Sequence, residues 1–112
     1  MNALKNRVQL IGHLGMDPEV KAIENGNKLA RLRLATNETY QNAKGEKVTE
    51  TQWHTVVAWG KTAEIAEKLL TKGAELVIEG KLVSRSYTDK DGQKRYVTEV
   101  VANELLLLSK KS

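Results

Sequence analysis

Trp53, Thr55, Val57 and Trp59 fall at alternate positions of a β-like stretch, so they share one face of a strand and leave His54, Val56 and Ala58 on the other. A Thr between two Trp residues is unusual for the centre of a small core. A second stretch, Lys28 to Thr36, places Leu29, Arg31, Arg33 and Ala35 opposite Ala30, Leu32 and Leu34. A third places Glu79, Lys81, Arg85 and Tyr87 opposite Leu76, Ile78 and Leu82. Aromatic and cationic side chains thus gather on the faces that the aliphatic ones leave free. Flat aromatic rings can stack on unpaired nucleobases, at about 1–3 kcal/mol per base, while Lys and Arg follow the phosphates. A duplex keeps its bases stacked on each other and offers no free face, so such a surface selects single strands. The same pattern also fits two Trp residues buried in a core beside a solvated row of cations, and the spacing leaves both readings open.

Other chemistry finds little support. The chain has no Cys, which excludes disulfides, thiolate metal sites and thiol catalysis. Gly60-Lys61-Thr62 ends like a phosphate-binding loop, but Thr55 stands where the loop requires its first Gly. His13 and His54 belong to no metal-ligand spacing, and no nucleophile, base and oxyanion site can be assembled. Asn37-Glu38-Thr39 is a sequon without a secretory signal before it. The chain reads as a binding module, not an enzyme, with no cofactor and no metal. Its net charge of +4, from 18 Lys and Arg against 14 Asp and Glu, suits a polyanionic partner without requiring one. The longest apolar run, Leu105 to Leu108, is far below the roughly 20 residues of a membrane helix, and no signal peptide is recognisable. No membrane role and a cytoplasmic location are expected.

The elements that must position these residues form one domain, since 112 residues suffice for one core. There is no Phe, so Leu, Val, Ile and Ala must build that core. Five β-like stretches are marked off by turn signals. Arg7 to Leu14 comes first, with Val20 to Ile23 as a continuation past Asp17-Pro18, before Asn25-Gly26. Lys28 to Thr36 follows, then a polar loop around Asn42 to Lys47 and a strand from about Glu50 to Trp59. Lys61 to Lys72 is predicted helical, with an apolar stripe of Ala63, Ile65, Ala66, Leu69 and Leu70 and a capping Gly73. Ala74 to Tyr87, with a bulge or bend at Gly80, and Lys94 to about Leu106 complete the set. Three strands, a helix and two strands suit a mainly β, five-stranded Greek-key barrel with the one α-helix between strands three and four.

Seven ordered segments then resemble bacterial single-stranded DNA-binding proteins. They are Asn6 to Val20, Leu34-Ala35-Thr36-Asn37-Glu38, Thr51-Gln52-Trp53-His54, Gly60-Lys61-Thr62-Ala63-Glu64, Ile78-Glu79-Gly80-Lys81-Leu82, Asp91 to Tyr96 and Glu99 to Glu104. The resemblance runs from about Asn6 to Leu108. It implies an oligonucleotide-binding (OB) fold over residues 1–108, with 109–112 a short basic end. It also implies a homotetramer that wraps single-stranded DNA with little sequence preference during replication, recombination and repair. The family's stacking aromatics map onto Tyr40, Trp53, Trp59 and Tyr87. Tyr40 and Tyr87 stand where members often have Trp, and Trp59 where they often have Phe.

Positions matching phosphate contacts are Arg7, Lys61, Lys72, Arg85 and Arg95, to which the strand faces add Arg31, Arg33 and Lys81. Arg31 and Arg33 stand where members often carry neutral residues, while Thr55, Thr71 and Val83 replace residues that are often basic. The resemblance places His54 at a subunit interface, with a role satisfied inside one subunit as the alternative, and pairs subunits through the strand around Val8 to Ile11, with Val8 and Leu10 as interface residues. The family typically continues into a Gly/Gln/Pro-rich linker and an acidic tip that recruits replication and repair proteins. Here the sequence ends in Ser109-Lys110-Lys111-Ser112, so recruitment through an acidic tip is not expected of these residues. Two rivals keep the fold: a replication-restart or phage accessory protein acting through protein contacts, and an RNA-binding barrel.

Overall fold

The computed structural model describes residues 5–23 and 26–109. Asn25 of the expected hairpin turn and residues 110–112 of the basic end lie outside them. The elements are β1 (Val8–Leu14), β2 (Glu19–Ala22), β3 (Lys28–Gln41), β4 (Lys47–Trp59), α1 (Gly60–Leu69), β5 (Glu75–Thr88) and β6 (Lys94–Ser109). Hydrogen-bonded neighbours run β1-β5-β6-β4-β3, and β1 also pairs with β3 at His13–Ala35 and Leu14–Leu34. The five strands therefore close into a barrel, mainly β as expected, with one α-helix among the described residues. The β4–β6 pairing is parallel and the others are antiparallel. The stretch read as a continuation of the first strand is instead the separate β2, paired with β3 from Glu19–Arg31 to Ala22–Lys28. Pro18, which lacks an N–H, sits at the break between β1 and β2.

The core follows strand parity. Leu14, Ala30, Leu32, Leu34, Val56, Ala58, Leu76, Ile78, Val100 and Ala102 point inward and are buried. Small residues let α1 press close against β3, β4 and β6, with Ala63 and Ala66 fully buried. The helix is shorter than its apolar stripe predicts. Leu70 leaves it in an extended conformation, its N–H bonded to the Ala66 carbonyl at 3.0 Å, and drops into the core. Ile65 and Leu69 are left exposed. Gly73 is not a helix cap: with φ 89° it lies in a turn over Thr71–Ala74, and its N–H bonds to the Leu14 carbonyl at 2.9 Å.

The irregularity expected at Gly80 is present, but the extra residue is on the partner strand. Glu79 pairs with Glu104 and Gly80 with Ala102, so Asn103 is inserted in β6 and β5 alternates without a break. A Cβ on Gly80 would lie 2.0 Å from the Val101 carbonyl oxygen, so only glycine permits this approach. Leu82 keeps the inward parity of Leu76 and Ile78, but it lies past the last β1–β5 pair, Val8–Gly80, and is exposed. Both long hairpins run on as arms beyond the barrel. The β3–β4 ladder extends to Gln41–Lys47 and the β5–β6 ladder to Thr88–Lys94. The sequence signals stop β3 short at Thr36 and begin β4 late at Glu50, because polar alternation in an arm exposed on both sides carries no burial pattern, whereas they follow the β5–β6 arm to Tyr87 and from Lys94.

Candidate nucleic-acid interface

Cross-strand partners share a face of a sheet, so the register builds the site. On the outer face of the β3–β4 pair lie Leu29–Trp59, Arg31–Val57, Arg33–Thr55 and Ala35–Trp53. The parallel pair Val57–Val101 carries that face onto β6. Lys81–Val101, Val83–Glu99, Arg85–Val97 and Tyr87–Arg95 carry it onto β5. Trp53, Trp59, Tyr87, Arg31, Arg33, Lys81, Arg85 and Arg95 thus belong to one continuous surface. Trp53 and Trp59 are each 50% exposed, which removes the reading in which both fill the core.

Trp53 is held on two sides. The Arg33 guanidinium lies 5.3 Å from its ring centroid, a cation–π contact. Its six-membered ring lies against Gly15, where a Cβ would come within 2.4 Å of Cζ3. Gly15 itself is fixed by its N–H, which donates to the Arg33 carbonyl at 2.8 Å. Further along the face, Arg85 donates to Glu99 from Nε at 2.9 Å and from Nη2 at 3.3 Å. Glu99 is buried, and this two-point pairing satisfies its carboxylate.

Tyr40 is not brought to this face. It pairs with Val48, on the side of the β3–β4 arm that carries Glu38 and Glu50, and its hydroxyl donates to Glu50 at 2.9 Å. That hydrogen bond, with some burial, pushes the Tyr40 hydroxyl pKa above its ordinary value. Tyr40 is still substantially exposed and can stack from the far side of the arm. Tyr96 was passed over in the sequence, yet it is the most exposed aromatic at 72%, with the Lys94 ammonium 5.6 Å from its ring centroid. It pairs with Ser86, opposite the face of Tyr87. The neighbouring Lys94 and Arg95 were the signal that could have found it.

The cations divide into two sets. Arg7 is paired with Glu79 at 2.6 Å, Arg95 with Asp89 at 2.8 Å, and Arg85 with Glu99. Arg31, Arg33, Lys61, Lys72 and Lys81 make no ion pair among the described residues, and Lys61, Lys72 and Lys81 are exposed. Lys72 is anchored through its backbone, whose N–H donates to Asp17 at 2.8 Å.

The residues assigned to subunit contacts sit elsewhere. His54 is half-buried and its Nε2 lies 3.0 Å from the Thr36 hydroxyl, so it has a partner inside its own subunit. Val8 and Leu10 are half-buried against the core. The outward side of the same strand carries Ile11, in register with Val77, which is in register with Leu106. Ile11 is 53% and Leu106 61% exposed. Ile11 belongs to the strand the resemblance assigns to subunit pairing, but the row's continuation through Val77 to Leu106 was not legible in the sequence, because continuous aliphatic runs conceal which residues face out. Among the described residues no His, Cys, Asp or Glu cluster could hold a metal ion, and no helix is long and apolar enough to cross a membrane.

The chain is 43% identical over 107 residues to single-stranded DNA-binding protein 1 of Xylella fastidiosa (strain 9a5c), covering 95% of this chain and 79% of that one. Its backbone is similar to that of the Plasmodium falciparum SSB solved in complex with ssDNA, with a TM-score of 0.86 and 29% identity. That likeness covers 97% of this chain and all of the other. The model of the single-strand binding protein family matches residues 5–108, and the chain belongs to that family.

Proposed function

We propose that this chain binds and protects single-stranded DNA in a sequence-tolerant way, by stacking on aromatic side chains and neutralising phosphates, and catalyses no reaction. The observation that carries this is that two half-exposed Trp residues share one outer face with Arg31 and Arg33. Strand rise puts Trp53 and Trp59 about 20 Å apart, a span that a single strand crosses in a few nucleotides. The named relative and the DNA-bound structural neighbour support the same substrate. Replication, recombination and repair in the cytoplasm are the setting this activity fits.

The test is a titration of intrinsic Trp fluorescence with oligo(dT) and with a matched duplex, at low and high salt. Oligo(dT) should quench strongly and the duplex weakly. Affinity should fall with salt, by about −0.7 in log–log slope for each phosphate neutralised on a single strand. Absence of quenching at both salts would end the stacking assignment. Tighter binding of a matched RNA strand would favour an RNA-binding barrel.

A homotetramer is part of the proposal. The row Ile11–Val77–Leu106 is an exposed apolar strip that a second copy would cover. Beside it β1 pairs with β3 only at His13 and Leu14, so Val8 to Ile11 present an unpaired backbone edge among the described residues. Edge and strip meet at Ile11 on β1, which suits two kinds of contact between identical subunits. A dimer in solution would instead support the accessory-protein reading.

A further inference from the structure

Arg31 lies mid-way along the outer face, and the surface is indented on either side of it. One cleft is lined by Leu29 and Val57, with Glu19, Lys21, Arg31 and Arg85 around them. The other lies between Glu19, Arg31, Arg33 and Thr55. Glu19 and Arg31 border both. They are direct cross-strand partners, which sets their Cβ atoms about 5 Å apart on the same face. Yet no ion pair joins them among the described residues. A carboxylate beside a track for phosphates works against phosphate binding, so the Glu19 side chain calls for a partner that donates hydrogen bonds.

We propose that Glu19 and Arg31 together read guanine in the bound strand, adding a modest base preference to sequence-tolerant binding; this rests on the proposal that single-stranded DNA crosses this face. The guanine edge carries two adjacent donors, N1–H and the 2-amino group, next to the O6 acceptor. A carboxylate accepts the two donors side by side, and the neighbouring guanidinium donates to O6. The other bases match less well. Cytosine and adenine each offer one amino group beside a ring-nitrogen acceptor, which would face the second carboxylate oxygen. Thymine offers one N–H flanked by two carbonyls. Leu29 and Val57 give the ring an apolar surface, and Leu29 is in register with Trp59, so a base in the first cleft adjoins a stacking platform. Arg85, restrained by Glu99, closes the far side.

The experiment uses dT strands of about 8 nucleotides, within the span of one OB domain, carrying a single central dG, deoxyinosine or dC. Each competes with a labelled all-dT strand for the full chain. The dG strand should bind about fivefold tighter than all-dT, in keeping with one bidentate base contact at a partly exposed site. Deoxyinosine lacks the 2-amino group and should lose most of that gain, and dC should show little. Glu19 is exposed, so Glu19→Gln should fold normally; it should bind all-dT at least as well as the parent and lose the preference for dG. Equal affinity for dG and all-dT strands, or a preference unchanged in Glu19→Gln, overturns the inference while all-dT binding leaves the broader proposal standing. Failure to bind any strand overturns both.

Discussion

Gly15 has no chemistry of its own, yet it decides where the Trp53 ring can lie. Any Cβ there would sit inside the ring's van der Waals envelope, so Gly15→Ala must rotate Trp53 or shift the β1 exit. We expect Gly15→Ala to weaken oligo(dT) binding several-fold while leaving the thermal midpoint within a few degrees, read from fluorescence titration and calorimetry. Trp53→Ala should cost more, about tenfold, since one stacked base is lost and Arg33 loses its platform as well. Arg85→Ala should weaken binding less than Trp53→Ala, because Arg85 is already committed to Glu99. Equal losses for the two variants would mean that stacking is not the larger contribution. That Trp53 and Trp59 share the face opposite Val56 and Ala58 was legible in the sequence, because strict alternation separates the two pairs. The side of Tyr40 was not, because the arm that carries it has no buried side to set its parity.

The elements do two separate jobs: the barrel fixes the central face, and the arms extend it into solvent. The arms have little core, so local hydrogen bonds at their tips matter. In the β5–β6 turn, Asp89 accepts Arg95 Nε at 2.8 Å and the backbone N–H groups of Gln93 and Asp91 at 2.9 and 3.0 Å. These bonds, the one from Arg95 first, hold the Asp89 carboxyl below the usual carboxylate range. The ionised form therefore stabilises the turn above the ordinary carboxylate pKa, and that support is lost as the pH falls through the depressed folded value. The amide signals of Asp91 and Gln93 should titrate with a midpoint lower than that of an unstructured aspartate, and Asp89→Ala should abolish the transition. A midpoint at the unstructured value would remove the assignment. The Asp91-Gly92 turn and the strands beside it were legible from composition. The helix end was not, because Leu70 ends α1 for the sake of a core position that only the folded barrel defines.

For the whole molecule, the outer face and the apolar row lie on different parts of one barrel, so DNA binding and assembly can be separated by mutation. Leu106 is 61% exposed and its cross-strand partner is Val77 on the outer side of β5. A charge there costs a lone subunit little, because the side chain is already wet, but within an apolar contact between copies it would be buried without a partner. Leu106→Asp should therefore keep the thermal unfolding of the barrel cooperative while lowering the solution mass from that of the proposed tetramer to two chains or one, as read by light scattering. Strands long enough to engage several subunits should then bind more weakly, since each subunit's contacts are no longer tethered to the others. Strands that span a single subunit should bind with unchanged affinity, because none of the outer-face residues has been touched. A mass unchanged from the parent would show that copies do not meet through this row. A loss of short-strand affinity would show instead that the row and the DNA face are coupled.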